Sequence, residues 1–357
     1  MFKSNYNLME LGWNDSLQEE FKNFKDEYMV GRIAVEYKGS YKMYTKIGEV
    51  SGSISGKMNY KSSKREDYPA VGDWVLIDKF NNLHETVVIH RILNRKSKIS
   101  RKVAGSSFDE QIVAVNIDIL FICMSLNDNF NLRRLERYVT TAWNSGALPV
   151  IVLTKTDLCT DLREKIIKTE SVAPGIDIVN TSCFNTLDMD KLRRYLGTGK
   201  TAAFVGSSGV GKSTIINNLL EEEKQKTNIV SNIESKGKHT TTNRELIVLE
   251  SGGIVIDTPG MRELHLFDAE DGFDNSFEDI NELAKNCKFS DCTHTFEPKC
   301  AVQKAIEDGV MPKERYNSYL KLKKEAEFMK RKLDKKAQSD HKNKIKAINK
   351  ELKRRYQ

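Results

Sequence analysis

The stretch that decides the fold reads Gly206-Ser207-Ser208-Gly209-Val210-Gly211-Lys212-Ser213, and it matches the phosphate-loop pattern G-x-x-x-x-G-K-[ST]. It follows an apolar run typical of a strand and precedes a run typical of a helix. Glycines let backbone N–H groups close around an anion, and the helix N-terminus adds a field that favours negative charge. We expect Lys212 to bridge the β- and γ-phosphates and the Ser213 hydroxyl to ligate Mg²⁺. The predicted nucleotide contacts here are Gly206, Ser207, Ser208, Gly209, Val210, Gly211, Lys212, Ser213 and Thr214.

A second motif, Asp257-Thr258-Pro259-Gly260, begins 51 residues after Gly206, at the end of another apolar run. This D-x-x-G pattern is typical of switches that respond to the γ-phosphate. We expect Asp257 to reach Mg²⁺ through a water molecule and the Gly260 N–H to contact the γ-phosphate.

The base reader is predicted at Thr154-Lys155-Thr156-Asp157, which is similar to the guanine motif N-K-x-D. The Asp157 carboxylate can accept hydrogen bonds from guanine N1–H and the 2-amino group, a pair that adenine does not offer. The Lys155 stem can pack over the base. Thr154 lacks the amide of Asn, which leaves one hydrogen bond of the base loop open. The backbone N–H of Ser182 is our candidate donor to guanine O6.

The order of these motifs is reversed relative to an ordinary small GTPase, because the base reader begins 52 residues before Gly206. Joining the old termini and cutting elsewhere preserves the neighbours in a sheet. We therefore predict a circularly permuted GTPase core. In this order the D-x-x-G loop leads almost directly into the region after Phe267, so a γ-phosphate-dependent movement can pass to the C-terminal part.

The fold class follows from the pattern of apolar runs. Continuous apolar runs alternate with helix-like stretches beyond residue 111, which indicates a mainly parallel α/β sheet. Between 31 and 95, short runs separated by glycines and polar turns indicate a small β-barrel, of an oligonucleotide-binding (OB) or an SH3-like type. Residues 96–110 have the composition of a basic linker.

A metal site is predicted at Cys287-x4-Cys292-x-His294-x5-Cys300. Three thiolates and an imidazole within 14 residues, with no carboxylate, favour a structural tetrahedral Zn²⁺. The chain has six cysteines among 357 residues, no apolar run long enough to cross a bilayer, and no secretory pattern near Met1. We expect a cytoplasmic protein without a membrane partner, and a monomer by default.

The net charge of +7 is unevenly distributed. Residues 312–357 hold 17 Lys/Arg and 6 Asp/Glu, and the rest of the chain is slightly acidic. A long Lys/Glu-rich helix fits this tail. It is either a solvated helix or a contact for polyanionic nucleic acid.

These motifs together resemble the ribosome small-subunit-dependent GTPase A family (RsgA, also called YjeQ) over nearly the whole chain. The family-like stretches outside the motifs are Leu11–Asn14, Ala70–Val75 and Asn131–Tyr138. The resemblance implies an N-terminal OB barrel, a permuted GTPase and a C-terminal α-helical zinc domain whose pattern includes Glu297-Pro298. It also implies that the protein binds rRNA of the small ribosomal subunit, is stimulated by that subunit, and acts in its late maturation, with hydrolysis driving release.

The resulting division of the chain is an N-terminal extension (1–28), an OB barrel (29–95), a permuted GTPase domain (96–268), a zinc-binding domain (269–311) and a basic helical tail (312–357).

Hydrolysis requires a group that orients water, and Met261 occupies the position where a Ras-like switch carries Gln. An apolar side chain cannot hold water, so we expect slow turnover until a partner arranges another group. His239 is the favoured catalytic candidate, and Arg262 is a weaker one. In the adjacent threonine-rich run, Thr241 is favoured over Thr240 as the switch ligand to Mg²⁺.

Two other functions compete with a ribosomal GTPase. If the protein were an ATP-driven nucleic-acid motor, Asp157 would have no role in base recognition. Displacement of bound GDP by ATP would favour this motor function. A non-catalytic RNA-binding module would leave Lys212, Ser213 and Asp257 without a use. Absence of hydrolysis even with small subunits would favour that module.

Overall fold

The computed structural model describes residues 6–62, 64–80, 86–102, 110–182, 185–227, 244–257 and 276–324. The chain forms two compact units, residues 1–265 and 266–357. Within the described ranges, no helix is long and apolar enough to cross a membrane.

The N-terminal barrel is built from five strands: β1 (Tyr28–Glu36), β2 (Tyr41–Thr45), β3 (Gly48–Ile54), β4 (Trp74–Asp78) and β5 (Thr86–Ile92). Their order is β1-β2-β3-β5-β4, and pairing of β4 with β1 closes the barrel. Only β3 and β5 run parallel; the other pairs are antiparallel. Inward-facing residues form a core of their own, including Ile33, Met43, Val75, Ile77 and Ile89. The OB-type barrel is confirmed, because this closed five-stranded order is what that fold requires.

Short helices accompany the barrel. α1 (Asp15–Phe21) begins after Asn14, whose side chain accepts a hydrogen bond from the Leu17 N–H. α2 (Gly56–Lys61) and a 3₁₀ helix (Arg65–Asp67) fill the connection between β3 and β4.

The expected linker over 96–110 is wrong in its described part. β6 (Lys98–Lys102) pairs with β7 (Glu110–Val115) as an antiparallel two-stranded sheet. Ile99 and Val113 are buried in the main core, so hydrophobic burial holds this segment in place despite its basic composition.

The second part of the first unit is the α/β sheet, with strands β8 (Ile119–Ser125), β9 (Leu148–Thr154), β10 (Ile178–Thr181), β11 (Thr201–Val205), β12 (Glu245–Val248) and β13 (Ile254–Asp257). The order β10-β9-β8-β11-β13-β12 is parallel except at β12. Its helices are α3 (Leu132–Ser145), α4 (Leu162–Val172), α5 (Thr186–Arg193) and α6 (Lys212–Thr227). The central strands β8, β9, β11 and β13 are buried on both faces, which explains their continuous apolar sequences.

A fully buried arginine joins the barrel to this sheet. The Arg32 guanidinium donates to the carbonyls of Leu11, Gly72 (3.3 Å) and Asn116 (3.2 Å) and to Thr201 Oγ1 (2.9 Å). Burial lowers the pKa of Arg32 to about 10, so the side chain stays charged at neutral pH. One cation therefore ties the N-terminal extension and the barrel to the start of the strand that leads into the phosphate loop.

The C-terminal unit contains α7 (Glu278–Ala284), α8 (Ala301–Glu307) and a helix that begins at 313 and is described to 324, here α9. Tyr316, Tyr319 and Leu322 of α9 are buried against Phe277 and Ile280. The predicted boundary between residues 311 and 312 therefore falls inside one packed core, and the first turns of the basic tail are structural.

Candidate nucleotide-binding site and metal centre

The carboxyl ends of five parallel strands meet at one edge of the sheet. Register places Thr154 beside Ser125 on one side and Thr181 on the other. Val205 ends β11, and Asp257 ends the adjacent β13. Ligands of open parallel sheets bind outside such ends. The permuted chain thus brings the base reader, the phosphate loop and Asp257 to the same edge, although their order in sequence is reversed.

The phosphate loop leaves β11 at Gly206 and ends where α6 begins. Gly206 has a φ of +145°, and a Cβ there would lie 2.4 Å from the Cys123 carbonyl oxygen, so only glycine fits. Lys212 Nζ donates to the carbonyls of Gly206 (2.7 Å) and Ser207 (2.8 Å). These bonds hold the ammonium against the loop. Ser208, Gly209, Ser213 and Thr214 are exposed at its mouth.

Thr154 links the base reader to the phosphate loop. Its hydroxyl donates to the Val210 carbonyl at 2.5 Å, and the residue is fully buried. The Thr154 hydroxyl thus makes a hydrogen bond within the protein, between the end of β9 and the phosphate loop. Next to it, Lys155 has a φ of +60°, an uncommon conformation for a residue with a side chain. Thr156 and Asp157 then form a 3₁₀ turn.

The Asp157 carboxylate is held by Ser182, whose hydroxyl donates to Asp157 Oδ1 at 2.7 Å. Asp157 is an exposed residue. The Ser182 N–H is donated to Asp188 Oδ2 at 3.0 Å. The predicted contact of that N–H with guanine O6 stays a prediction, and the Ser182 hydroxyl holds the Asp157 carboxylate. Asp188 was missed from the sequence, although its position in the first turn of α5 is typical of an acceptor for backbone N–H groups.

Part of the predicted switch machinery lies outside the described residues. Asp257 is described at the end of β13. The candidates Thr240, Thr241, His239, Gly260, Met261 and Arg262 fall in 228–243 and 258–275, which the structure does not describe.

The four predicted metal ligands converge in the C-terminal unit. The ligand atoms of Cys287, Cys292, His294 and Cys300 all lie within 4.8 Å of one another. His294 Nδ1 is 3.5 Å from the Sγ atoms of Cys287 and Cys300, and those two sulfurs are 3.8 Å apart.

Backbone and side-chain donors support this cluster. The N–H groups of Ala301 and Gln303, in the first turn of α8, point at the sulfurs of Cys287 (3.4 Å) and Cys300 (3.5 Å). The helix N-terminus thus favours thiolates here. The Tyr316 hydroxyl donates a hydrogen bond to the His294 carbonyl at 2.5 Å. Nothing in the spacing of the sequence indicated this contact.

The aromatic residues of the barrel divide into core and surface. Tyr41, Tyr44 and Trp74 are buried, so they are unavailable for stacking on a nucleic-acid base. Tyr37 is 47% exposed. The basic excess is not confined to the tail, because 28–102 holds 15 Lys/Arg and 7 Asp/Glu. The barrel region is basic, and so is the tail.

Comparison with known proteins matches this architecture. Residues 92–267 match the family model described as RsgA GTPase, and residues 201–350 match the one described as 50S ribosome-binding GTPase. The chain is 45% identical to "Small ribosomal subunit biogenesis GTPase RsgA 2" of Lactiplantibacillus plantarum, covering 90% of each chain. It is 42% identical to "Small ribosomal subunit biogenesis GTPase RsgA 1" of Oceanobacillus iheyensis, covering 91% of this chain and 93% of the relative.

Two solved structures share the fold. YjeQ from Thermotoga maritima superimposes with a TM-score of 0.62 at 25% identity, covering 84% of this chain and 98% of that one. YloQ, titled a circularly permuted GTPase, gives a TM-score of 0.61 at 26% identity, covering 84% and 95%. The reversed motif order, the shared edge of the parallel strands and the similarity to these relatives lead to one conclusion. The chain belongs to the RsgA GTPase family and is a circularly permuted GTPase.

Proposed function

We propose that this GTPase binds the small ribosomal subunit through its rRNA, acts in late maturation of that subunit, and leaves it when GTP is hydrolysed. The supporting observation is the Thr154–Val210 contact, which joins the predicted base reader to the phosphate loop at one edge of the sheet. The small ribosomal subunit is proposed as the partner because it appears in the names of relatives that are 45% and 42% identical over nine tenths of this chain or more.

In this proposal each described residue of the site has one task. Asp157, oriented by Ser182, pairs with guanine, and Lys155 packs over the base. The phosphate-loop N–H groups and Lys212 hold the phosphates, while Ser213 and Asp257 hold Mg²⁺. Gly260, Thr241 and His239 keep their proposed roles in γ-phosphate sensing and hydrolysis.

Asp157→Asn is expected to lower GTP affinity about 100-fold or more, because two hydrogen bonds to a charged acceptor are worth about 1.5–3 kcal/mol each. The same change should raise affinity for xanthosine triphosphate, since an amide can accept from xanthine N1–H and donate to its C2 oxygen. Titration with fluorescent analogues of both nucleotides measures the exchange. Asp161→Asn is the matched control, because its carboxylate contacts Lys165 and lies outside the site. An Asp157→Asn protein with unaltered preference would remove guanine reading from this motif.

The Cys/His cluster fits a structural Zn²⁺. A tetrahedral ion with bonds of about 2.3 Å to sulfur and 2.0 Å to nitrogen sets S···S edges of about 3.8 Å and S···N edges of about 3.5 Å. The separations of Cys287, His294 and Cys300 have those values. We assign Cys287, Cys292, His294 and Cys300 as ligands of one zinc ion that stabilises the C-terminal fold.

GTP turnover with isolated ribosomal subunits tests the proposal. We expect slow turnover by the free protein and an increase of at least about tenfold with small subunits, because a missing water-orienting group must be supplied or arranged on binding. Isolated large subunits are the control in this assay, since the description of one matching family model names the 50S ribosomal subunit. Stimulation by large subunits only, or by neither, would overturn the proposed partner.

The same assay tests the catalytic candidate. His239→Ala should abolish most of the stimulation while leaving GDP affinity unchanged. Undiminished stimulation would exclude His239 and direct attention to Arg262. We further propose a cytoplasmic monomer with the five-part division of the chain given above, the first turns of the tail being part of the zinc-domain core.

A further inference from the structure

Ser182, which follows β10, is hydrogen-bonded to two carboxylates. Its hydroxyl donates to Asp157 Oδ1 at 2.7 Å, and its backbone N–H donates to Asp188 Oδ2 at 3.0 Å. Asp157 belongs to the predicted base reader, whereas Asp188 lies on α5 and has no task in the proposed function. One residue thus connects the base reader to a second carboxylate that sequence motifs did not indicate.

Asp188 is a buried carboxylate with a donor on each oxygen. It is 7% exposed, as is Ser182. Its other oxygen, Oδ1, accepts from Lys191 Nζ at 2.6 Å. Burial opposes ionisation of Asp188, but the bonds from Lys191 and from the Ser182 N–H outweigh it and lower the pKa of the carboxyl. Asp188 is therefore an ionised acceptor at neutral pH, and such an acceptor binds a backbone N–H more strongly than a neutral one.

The backbone of Ser182 is held on both sides. Its N–H is bonded to Asp188, and its carbonyl accepts from the Asn185 N–H at 3.0 Å. Once the backbone is placed, rotation about one side-chain bond sets the direction of the hydroxyl. The exposed Asp157 carboxylate, by contrast, needs a neighbour to hold its plane, and the Ser182 hydroxyl is such a neighbour.

We propose that Asp188 is a positioning residue for guanine recognition, which holds Ser182 where its hydroxyl orients the Asp157 carboxylate. The inference rests on the proposed guanine-reading role of Asp157 and adds a residue one step further from the base. Guanine offers N1–H and the 2-amino group to one carboxylate, and a carboxylate already held in the required plane binds them at a lower entropic cost. The Ser182 N–H then stays with Asp188 when nucleotide binds, in competition with its predicted contact to guanine O6.

Calorimetric titration of the full-length, metal-loaded protein with GDP and with inosine diphosphate, both with Mg²⁺, tests this. Inosine lacks the 2-amino group, so the preference for GDP reports how well Asp157 is oriented. Asp188→Ala should lower GDP affinity about tenfold, the effect of losing one buried hydrogen bond, and lower the GDP preference at least about threefold. Asp188→Asn keeps an acceptor for the N–H, so it should stay within about threefold of the parent GDP affinity.

Ser182→Ala tests whether the effect passes through Ser182. This change should lower the GDP preference as Asp188→Ala does. The double variant should bind GDP within about twofold of Ser182→Ala alone, because effects that share one route do not add. Losses that multiply in the double variant would show that Asp188 acts by another route, and they would overturn the proposal.

Asp190→Ala is the matched control on the same helix. Asp190 pairs with Arg193 three residues on, as Asp188 does with Lys191, but the Asp190 side chain is 60% exposed. Its loss should change both affinities less than about twofold. A merely structural role of Asp188 would weaken both nucleotides equally, so an unchanged GDP preference in Asp188→Ala would overturn the proposal. A rise in GDP affinity would overturn it too and would favour donation of the freed N–H to guanine O6.

Failure of this inference is distinguishable from failure of the proposed base reader. If Asp157→Asn leaves the preference between guanine and xanthine nucleotides unaltered, guanine reading by the motif fails and the role of Asp188 fails with it. If Asp157→Asn alters that preference while Asp188→Ala leaves the GDP preference unchanged, the positioning role fails alone.

Discussion

Replacing Lys212 with alanine is expected to lower GTP turnover at least about 100-fold, both in the free protein and with ribosomal subunits. Its ammonium is held at the phosphate loop by the carbonyls of Gly206 and Ser207, where it can offset the charge that builds on the transferred phosphoryl group. Removing one such electrostatic group from an active site typically costs 10²–10³ in rate. Single-turnover hydrolysis at saturating GTP measures the chemical step separately from binding.

Lys168→Ala is the matched control for this change. Lys168 pairs with Glu164 on the surface of α4, outside the site, so its loss should alter turnover less than twofold. An unchanged melting temperature in Lys212→Ala would show that the fold is intact. Turnover above a third of the parent value would contradict the role assigned to Lys212.

Removal of the metal is the second large effect. Structural zinc sites contribute about 10–16 kcal/mol of apparent binding free energy to folding, more than a small helical unit can supply from its own core. We expect Cys300→Ser, or prolonged chelation, to abolish stoichiometric zinc and to reduce the helical circular dichroism of the C-terminal unit. Affinity for a fluorescent GDP analogue should stay within about twofold, because residues 1–265 form a compact unit of their own.

Cys159→Ser provides the comparison for metal removal. Cys159 lies beside Lys165 and Asp161 in the first unit, so its loss should leave zinc content at one ion per chain. A Cys300→Ser protein that keeps full helicity and its thermal transition would show that the cluster does not support the fold. Loss of zinc from Cys159→Ser would contradict the assigned ligand set.

Local sequence patterns predicted much of this molecule correctly. The phosphate loop, the base reader and the Cys/His cluster each depend on residues close together in the chain, so their spacing alone indicates their chemistry. The reversed order of Thr154–Asp157 and Gly206–Ser213 is also a property of sequence, and it was sufficient to predict the permuted core.

Contacts between distant segments required the tertiary structure. The Ser182 N–H donates a hydrogen bond to Asp188, and the Ser182 hydroxyl donates one to Asp157. This arrangement depends on where α5 begins relative to β10. The basic composition of 96–110 predicted a linker, yet 98–102 forms a strand that pairs with β7, and Ile99 is buried. Burial of hydrophobic area outweighs local charge here because a partner strand is available.

The clearest division between the two lies in Thr154. The sequence by itself predicted that this position ends a strand at a loop that reads guanine, and it shows that the position lacks the usual amide. Only the tertiary structure decided what the hydroxyl does, because its acceptor is the Val210 carbonyl, 56 residues along the chain. Parallel pairing brings these two loops to one sheet edge, and a short buried side chain can then make the bond that fixes the base reader against the phosphate loop.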